Sequence, residues 1–515
     1  MKQLLRLALI MCAFFASDPR PLFGAGVTVI THGNNGTTDD WVAAMAEKTR
    51  VYPQVPGSNV VTYRIYFTQI TNTYVPVWQR IGGNFPTTTD SGEIIIMLDW
   101  RDPVNDLPTT QVGPVLAYFC FLQTNFISEL GGHALAEFPL HFIGHSRGGS
   151  LIAEMAKFLG SYGVWVDQLT FLDAFPVGSD GPLMIYENVF YADNYYQRIN
   201  TIFAAGNVIQ GTYNRKLVNV GPGGYTGVFE GHSDVHLWYH ATIDLVTPTS
   251  DYNVPFTQNE RFSWYSPSES YSTNAGFYYS RMGIGNRLSA VPPVSGEPAI
   301  PLEGYNRKWD FDAGIQNNRV TLAAHEGRGN WPSPITLALT STNPLFCQQS
   351  NSITLRYQWA DFPTNGGSVE FFLDRDHNPL NGNEIYAGGT SIAGTGQGQI
   401  GSRTLGFGPQ LAGMPAQKFY PFVVMLDGTR RRYLYTESSV DWRGGCTRPT
   451  IAITRLSGSR VRLAVTASVG DRVVVERSSN LFFWQPVATN TYTGSTWLLT
   501  NTITMGNQFW RSVVQ

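Results

Sequence analysis

Apolar positions in the first half of the chain form short, nearly continuous runs separated by amphipathic stretches. The runs are typical of strands buried on both faces of a parallel sheet, and they lie at Val27–Thr31, Ile94–Trp100, Leu140–Ile143 and Leu169–Leu172. Between them, Leu151, Met155 and Phe158 recur at helical spacing, which predicts an amphipathic helix over Leu151–Leu159. Strands that alternate with helices favour an α/β fold, a mostly parallel sheet with helices on both faces.

Beyond residue 336 the pattern changes to alternation of apolar and polar residues, which indicates all-β sandwich modules. One set of predicted strands comprises Ile353–Trp359, Val369–Leu373, Phe419–Leu426 and Arg431–Glu437. A second set comprises Val461–Thr466, Arg472–Arg477, Leu481–Val487 and Gln508–Val513. We therefore expect an α/β domain with an extension and a linker over residues 27–335, a β-sandwich module over 336–447 and a small β module over 448–515.

The N-terminus has the layout of a secretory signal. Two basic residues, Lys2 and Arg6, precede the apolar run Leu7–Ala16, and polar, proline-rich residues follow. That run is too short to span a bilayer as a helix. We expect residues 1–26 to act as a signal peptide, with cleavage between Ala16 and Gly26, and the protein to be secreted, extracellular or periplasmic; the alternative is a buried first helix.

Composition narrows the list of partners. Charged residues make up 14% of the chain and the net charge is −3, so we expect no nucleic-acid partner, and the net charge gives no long-range reason to expect an anionic membrane. Cys347 and Cys446 bracket a β-rich stretch and are the candidate pair for one disulfide in an oxidising compartment. Cys120 lies in an apolar run and is expected to be a buried thiol.

The segment Gly144–Gly148, "GHSRG", fits the G-x-S-x-G pattern of a hydrolase nucleophile. It follows the predicted strand Leu140–Ile143 and precedes the predicted helix, which is the strand–turn–helix context that this motif requires. A sharp turn there presents Ser146 at the carboxyl end of the sheet, and the glycines let the strand and the helix approach each other. We expect Ser146 to be a nucleophile.

An oxyanion hole needs two backbone N–H groups near the nucleophile. One is expected from Arg147, the residue after the serine, and the other from a loop that follows an earlier strand. The first predicted strand runs into His32-Gly33-Asn34, so we assign the second N–H to Asn34.

A nucleophilic serine needs a histidine as its base. The segment "GHSDVHLWYH" offers His232 and His236. Ser233 resembles a helix N-cap, which places His232 in the loop ahead of a helix, and we favour His232 for that reason. His232, His236 and His240 recur every fourth residue, so a solvated helix face and a metal site are alternatives, although no H-E-x-x-H motif accompanies them.

The histidine needs an orienting acid, which in this chain order lies between the serine and the histidine. Asp173 ends the predicted strand in "LTFLDAFP", and Asp193 in "VFYADNYYQ" is its rival. We favour Asp173. For either residue the alternative is a carboxylate that caps a loop, which is common at strand ends.

The segments "THGNNG", "GHSRGG", "FLDAFP" and "GHSDVHLWYH" together resemble the lipase superfamily of α/β-hydrolases, in particular the pancreatic-lipase-like group and its bacterial relatives. In that group aromatic residues lie six and seven positions after the catalytic histidine, and here Trp238 and Tyr239 follow His232 in that way. The chain departs from the group at Ala174, where the family has proline after the acid, and it has no cysteine-closed lid loop between Asp173 and His232. The last module is similar to small β modules appended to secreted bacterial enzymes.

The resemblance implies an α/β-hydrolase fold and a secreted lipase or esterase that cleaves carboxylic esters. Ser146, His232 and Asp173 would form the triad, and Asn34 and Arg147 the oxyanion hole. No metal or organic cofactor is expected, and the partners expected are a small-molecule or lipid ester and a lipid interface or polysaccharide contacted by the β modules. The alternatives are an amidase or peptidase with the same triad and a non-catalytic surface- or polysaccharide-binding protein with a vestigial hydrolase domain.

Two further segments carry weaker signals. Asp374–Glu384 is rich in oxygen ligands like a calcium loop, but an Asx-rich hairpin turn is the preferred interpretation. The stretch between Asp173 and His232 is rich in tyrosine, and these residues are expected either to line an apolar cleft or to pack in the core: Tyr186, Tyr191, Tyr195, Tyr196, Tyr213 and Tyr225.

Overall fold

The protein is described by a computed structural model that covers most of the chain. The described residues are 25–52, 60–199, 205–217, 220, 223–245, 249–265, 276–283, 319–325, 330–340, 345, 351–359, 367–407, 414, 417–437, 439–442, 449–467, 471–503 and 508–514. The predicted signal peptide up to residue 24, and the predicted cysteine pair Cys347 and Cys446, lie outside them. Among the described residues no helix is long and apolar enough to cross a membrane.

The first domain is built on one eight-stranded sheet with the order β3-β2-β4-β1-β5-β6-β7-β8. Its strands are β1 (Gly26–Thr31), β2 (Val61–Ile70), β3 (Thr73–Gly82), β4 (Glu93–Asp99), β5 (Leu140–His145), β6 (Val166–Leu172), β7 (Val189–Gln197) and β8 (Tyr213–Leu217). Only the β2–β3 hairpin is antiparallel, and every other neighbouring pair is parallel. The carboxyl ends of the parallel strands therefore meet at one edge of the sheet.

Five α-helices accompany this sheet in the described residues: α1 (Trp41–Arg50), α2 (Thr109–Leu116), α3 (Arg147–Ser161), α4 (Glu230–His240) and α5 (Gln258–Trp264). Alternate residues of the central strands face two separate apolar cores. Val29 packs with α2 and α3 on one side, whereas Ile30 packs with α1 and α4 on the other. Helices thus cover both faces, because strands buried on both sides need apolar partners on both sides. A short hairpin, β9 (Thr249–Asp251) and β10 (Val254–Phe256), precedes α5.

A two-sheet sandwich follows. One sheet has the order β11-β12-β15, with β11 (Ser333–Leu339), β12 (Asn351–Gln358) and β15 (Gly401–Phe407). The other has the order β14-β13-β16-β17, with β18 also paired to β16; its strands are β13 (Gly367–Asp374), β14 (Ile385–Ile392), β16 (Gln417–Asp427), β17 (Arg430–Tyr435) and β18 (Val440–Trp442). Apolar residues of both sheets, such as Leu355 and Phe371, share one core. The predicted domain boundary between residues 335 and 336 falls inside β11.

The last module is a second, smaller sandwich of two three-stranded sheets, β19-β20-β23 and β22-β21-β24. Its strands are β19 (Thr450–Arg455), β20 (Arg460–Thr466), β21 (Arg472–Ser478), β22 (Gln485–Thr491), β23 (Trp497–Thr502) and β24 (Phe509–Val514). The predicted strand over Leu481–Val487 is wrong at its start: Leu481–Trp484 form a loop, because Ser478 and Asn480 side chains accept the backbone N–H groups that a ladder would use. The predicted fold class, a mostly parallel α/β domain followed by all-β sandwich modules, is confirmed.

The first sandwich shares an apolar core with the α/β domain. The outer face of β16 and β17 contributes Phe422 and Tyr433 to the core beneath α2 and α3, and the Tyr433 ring stacks on Phe138 at 5.3 Å between ring centroids. Asp374–Glu384 connects β13 to β14 and docks on the first domain, where the Asn378 side chain donates to the Thr89 carbonyl at 2.6 Å.

This connection contains Asx turns, as preferred from the sequence. The Asp376 carboxylate accepts the N–H of Asn378 at 2.9 Å, and burial raises the pKa of Asp374 to about 7. Cys120 is buried with a free thiol, as predicted.

Candidate active site

Ser146 lies at a sharp turn between β5 and α3. Its backbone has φ 55° and ψ −125°, a conformation that residues other than glycine rarely adopt. The helix begins directly after it, at Arg147, and not at Leu151 as the apolar spacing predicted. Strain of this kind persists only where the surrounding structure fixes it. Here the Ser146 N–H donates to the Leu172 carbonyl and the Ser146 carbonyl accepts from Phe175 N–H, both at 3.0 Å.

Close backbone approach explains the glycines around the serine. A Cβ on Gly144 would lie 2.5 Å from the Gly148 carbonyl oxygen, so the strand and the helix approach each other at this pair. A Cβ on Gly33, in the turn after β1, would lie 2.6 Å from the Ser146 Cβ. The Gly33 backbone therefore packs directly against Ser146. Gly33 directly precedes Asn34, the predicted oxyanion donor.

Asp173 follows the last residue of β6 and is fully buried. Its Oδ2 lies 2.6 Å from His232 Nδ1. The carboxylate also accepts the Gln197 N–H and the Gln197 side-chain amide, both at 3.0 Å, and the Gly206 N–H at 2.8 Å. With φ 44°, Asp173 has a left-handed backbone conformation, as Ser146 does. These bonds fix the carboxylate so that it can orient the histidine ring.

His232 lies in the first turn of α4, not in the loop ahead of it, because the helix begins at Glu230. The predicted N-cap at Ser233 is therefore wrong. His145, the residue before the serine, contacts the His232 backbone carbonyl through Nε2 at 3.0 Å, and the two rings are 4.5 Å apart. Burial and the neighbouring rings of His232 and His236 hold the pKa of His145 well below its usual value, so a neutral ring donates its Nε2–H to that carbonyl.

The rival residues occupy other places. Asp193 lies within β7, where it accepts the Thr170 hydroxyl at 2.6 Å and the Tyr195 hydroxyl at 3.0 Å. His236 lies one turn after His232, and its Nδ1 is 2.6 Å from Oδ2 of Asp251. The structure thus brings Asp173 together with His232, and it gives Asp193 and His236 other partners.

The regularly spaced histidines do not converge on a metal position. His240 Nδ1 lies 3.0 Å from the second carboxylate oxygen of Asp251, so one buried carboxylate serves both His236 and His240, while His232 faces Asp173. Burial would raise the pKa of Asp251, but the two histidines lower it to about 2. In the described part of the chain no group of three metal-ligating side chains is present.

Asn105 fixes the turn that carries the candidate oxyanion donor. Its Oδ1 accepts the Asn35 N–H at 2.9 Å, and its Nδ2 donates to the Gly33 carbonyl at 3.3 Å. These two bonds flank the exposed Asn34 in the turn. Arg147, as the first residue of α3, has an N–H without an intrahelical acceptor. The predicted Asn34 N–H therefore lies in a turn that contacts Ser146 through Gly33. The predicted Arg147 N–H belongs to the residue directly after Ser146.

The Arg147 side chain connects the elbow to the same network. It forms an ion pair with Asp180, with distances of 2.6 and 2.8 Å, and it donates to the carbonyls of Asn105 and Leu107. Burial would raise the pKa of Asp180, but hydrogen bonds from Arg147 and from two backbone N–H groups hold it below its usual value. Asn105, Asp180 and Gln197 were not predicted from the sequence, because none of them lies in a motif whose spacing indicates a role in the site.

An apolar rim adjoins the candidate triad. Phe175 and Val177 follow Asp173, whereas Val228 and Phe229 immediately precede α4, and all four are exposed. The N–H of Phe175 bonds to the Ser146 carbonyl at 3.0 Å, and the Phe229 ring lies 6.5 Å from the His232 ring. The tyrosines between the acid and the histidine belong mainly to the core instead: Tyr186, Tyr191, Tyr195, Tyr196 and Tyr213 are buried.

Comparison with known proteins adds nothing to the assignment of this site. No family profile matches the chain, and no characterised protein matches it in sequence. A superoxide reductase (neelaredoxin) from Ignicoccus hospitalis is 9% identical over 21% of this chain and 82% of its own, with a TM-score of 0.14. A two-domain fibronectin type-III segment of chicken tenascin is 11% identical over 35% of this chain and 99% of its own, with a TM-score of 0.21. Likeness at this level carries no argument about function.

Proposed function

We propose that the protein is a secreted serine hydrolase that cleaves carboxylic esters with an apolar acyl group. The observation that carries the proposal is the 2.6 Å contact between Asp173 and His232 beside the strained elbow that presents Ser146. A serine at the carboxyl edge of the sheet, a buried carboxylate and a histidine, in this chain order, match the requirements of nucleophilic acyl transfer. The resemblance of the surrounding motifs to the lipase superfamily supports the same assignment.

In the proposed reaction the Ser146 Oγ attacks the ester carbonyl carbon while His232 takes the hydroxyl proton. Asp173 keeps the imidazole in the tautomer that accepts this proton at Nε2 and stabilises the cation that forms. The N–H groups of Asn34 and Arg147 bind the oxyanion, and the α3 N-terminus favours the same charge. His232 then protonates the leaving alcohol, and a water molecule activated by His232 hydrolyses the acyl-enzyme.

The exposed apolar side chains near the candidate triad support an ester with an apolar acyl group as the substrate. Exposed phenylalanine and valine side chains on the segments that follow Asp173 and precede α4 offer apolar surface to a bound substrate. Phe175 lies on the segment that follows the acid, and Phe229 lies next to the histidine. An acyl chain bound to the Ser146 Oγ is expected to bury part of this apolar surface.

Labelling with a fluorophosphonate probe tests the nucleophile. Wild-type protein is expected to be labelled, and Ser146→Ala is expected not to be. Ser161→Ala, at the other end of the same helix, is the matched control and should label like the wild type. Labelling of Ser146→Ala at the wild-type level would refute the assignment, and an unlabelled wild type would favour the binding-protein alternative.

A series of p-nitrophenyl esters and the matching anilides then tests the substrate class. We expect kcat/KM for the esters to rise from acetyl to octanoyl, because each buried methylene adds transfer free energy of about 0.8 kcal/mol at most. Val228→Ser and Phe229→Ser should flatten this rise while leaving the acetyl ester unaffected. Faster cleavage of anilides than of esters would replace the proposal by an amidase.

A further inference from the structure

The loop between β21 and β22 in the last module exposes three consecutive apolar side chains. Leu481, Phe482 and Phe483 are 54%, 85% and 78% exposed, respectively. No other described residues of the chain combine two adjacent aromatic side chains at this level of exposure. Contiguous exposed apolar surface of this kind marks an interaction site in a folded protein.

The loop's own hydrogen bonds hold this tip away from the core. The Asn480 Oδ1 accepts the N–H groups of Phe482 and Phe483, both at 3.0 Å, and the Ser478 Oγ accepts the Leu481 N–H at 2.9 Å. The Trp484 indole N–H donates to the Leu481 carbonyl at 3.1 Å. The exposure of the two rings is therefore built into the loop, and binding through them costs little ordering of the backbone.

The module that carries the tip is basic, and two of its arginines lie next to the loop. From residue 449 onward the chain has six arginines and two acidic residues, whereas the whole chain has a net charge of −3. Arg511 stacks on Trp484 at 4.3 Å from the ring centroid and pairs with Glu476 at 2.7 Å, and Arg477 lies at the end of β21 that leads into the loop. The remaining arginines of the module are Arg455, Arg460, Arg462 and Arg472.

We propose that this loop binds an anionic phospholipid bilayer, with the two phenylalanine rings inserted below the headgroups and Arg477 and Arg511 near the lipid phosphates. Aromatic and aliphatic side chains next to basic residues match the chemistry of an interfacial lipid surface. A polysaccharide fits less well, because sugar recognition needs polar groups beside the rings. The nearest ones, Asn480 and Ser478, are occupied by the loop's own N–H groups.

Vesicle co-sedimentation of the full chain tests this proposal, in a Ser146→Ala background that removes the proposed nucleophile and keeps the lipid intact. We expect binding to vesicles of phosphatidylcholine with 30% phosphatidylglycerol, and at least tenfold weaker binding to pure phosphatidylcholine. Binding should also weaken at 0.5 M NaCl, since screening reduces attraction between exposed charges.

The double substitution Phe482→Ser/Phe483→Ser is expected to reduce the affinity for the anionic vesicles at least tenfold. Leu498→Ser is the matched control, because Leu498 is 60% exposed on β23, in the other sheet of the same module. It should bind within twofold of the parent. Circular dichroism checks that both variants fold, and the single Phe482→Ser variant replaces the double one if the latter does not.

Unchanged binding of the tip variant, or equal loss in the Leu498→Ser control, would overturn the proposal. So would retention on an insoluble polysaccharide such as cellulose without any binding to vesicles. The proposed ester hydrolysis is measured separately by fluorophosphonate labelling of the wild type, so either proposal can fail while the other stands.

Discussion

Asn105 connects the turn after β1 to the elbow at Ser146. Its side-chain amide bonds to the Gly33 carbonyl and the Asn35 N–H, and its backbone carbonyl accepts a hydrogen bond from the Arg147 guanidinium. A backbone N–H contributes to an oxyanion hole only when its position is fixed before the reaction. At the scale of one residue, the site therefore depends on a group that never needs to contact the substrate.

We expect Asn105→Ala to lower kcat about tenfold to a hundredfold while KM for a p-nitrophenyl ester changes little. The reason is that the Asn34 N–H would lose its fixed position without any loss of substrate contacts. Asn188→Ala is the control: that amide is also buried and donates to two backbone carbonyls, at 2.9 and 3.0 Å, but away from the site. Steady-state kinetics and thermal unfolding of both variants decide the matter. Equal kcat in Asn105→Ala and wild type would contradict the positioning role.

Asp234 gives the stability of the domain a pH dependence. Burial raises its pKa to about 8, and Glu230 and Glu260 add to this, whereas a hydrogen bond from the Tyr225 N–H at 2.7 Å acts in the opposite direction. A raised carboxyl pKa means that the folded state binds a proton that the unfolded state has already lost. The stabilisation is therefore complete below about pH 4, falls as the pH rises to about 8, and is absent above that.

Comparison of thermal unfolding between pH 4 and 9 checks this. The wild-type midpoint should fall relative to that of Asp234→Asn as the pH rises, and the difference should level off above pH 8. A difference that does not change with pH would show that Asp234 does not titrate in this range.

At the scale of elements, the site depends on how closely three backbone segments approach one another. The turn after β1, the elbow between β5 and α3, and the end of β6 meet at the carboxyl edge of the sheet, since β1, β5 and β6 are parallel neighbours. Ser146 bonds to the backbone at Leu172 and Phe175, and Gly33 packs on the other side. A side chain added between these segments must displace one of them.

Gly33→Ala is expected to lower ester hydrolysis and fluorophosphonate labelling at least a hundredfold, because its Cβ would lie 2.6 Å from the Ser146 Cβ. Gly82→Ala, on β3, should leave both activities unchanged, since a Cβ there would meet nothing within 4 Å. Initial rates and labelling yields at equal protein concentration provide the measurement. Full activity in Gly33→Ala would mean that the turn can shift without affecting the serine.

The starts of two helices, α3 and α4, were predicted wrongly from the sequence. The apolar spacing placed the start of α3 at Leu151, but residues 147–150 already belong to the helix, because their backbone follows the elbow and not the apolar pattern. α4 likewise begins at Glu230 and not after His232. Helix starts without a side-chain cap leave no sequence signal.

At the scale of the whole molecule, the first sandwich behaves as part of the α/β domain, whereas the last module has a core of its own. Phe422, Val424, Tyr433 and Tyr435 belong to the same apolar cluster as the central strands. Among the described residues, the core of the last module is formed by side chains between Ile451 and Trp510. The first two units should therefore unfold together.

Tyr433→Ala is expected to destabilise the first two units by about 3 kcal/mol, because it removes a buried ring that stacks on Phe138 across the interface. Tyr386→Ala, in the same sheet but 49% exposed, should cost less than about 1 kcal/mol. Urea unfolding followed by circular dichroism measures both. Similar values for the two variants would show that the interface contributes little to stability.

The amino-acid sequence by itself determined the fold class and most of the strands. Apolar periodicity reports directly on burial, and the parallel α/β sheet and the β modules both have distinct periods. The sequence also predicted Asp173 and His232 as partners, and the structure brings them together at 2.6 Å.

Only the tertiary structure decided which side chains meet. The choice of Asp173 over Asp193 as the partner of His232, the roles of Asn105 and Gln197, and the docking of Tyr433 on Phe138 depend on contacts between residues distant in the chain. Periodicity contains no information on such distances. The exposed tip at Phe482 and Phe483 is a further case: its residues have the composition of a strand, and the side-chain bonds of Ser478 and Asn480 turn them into a loop.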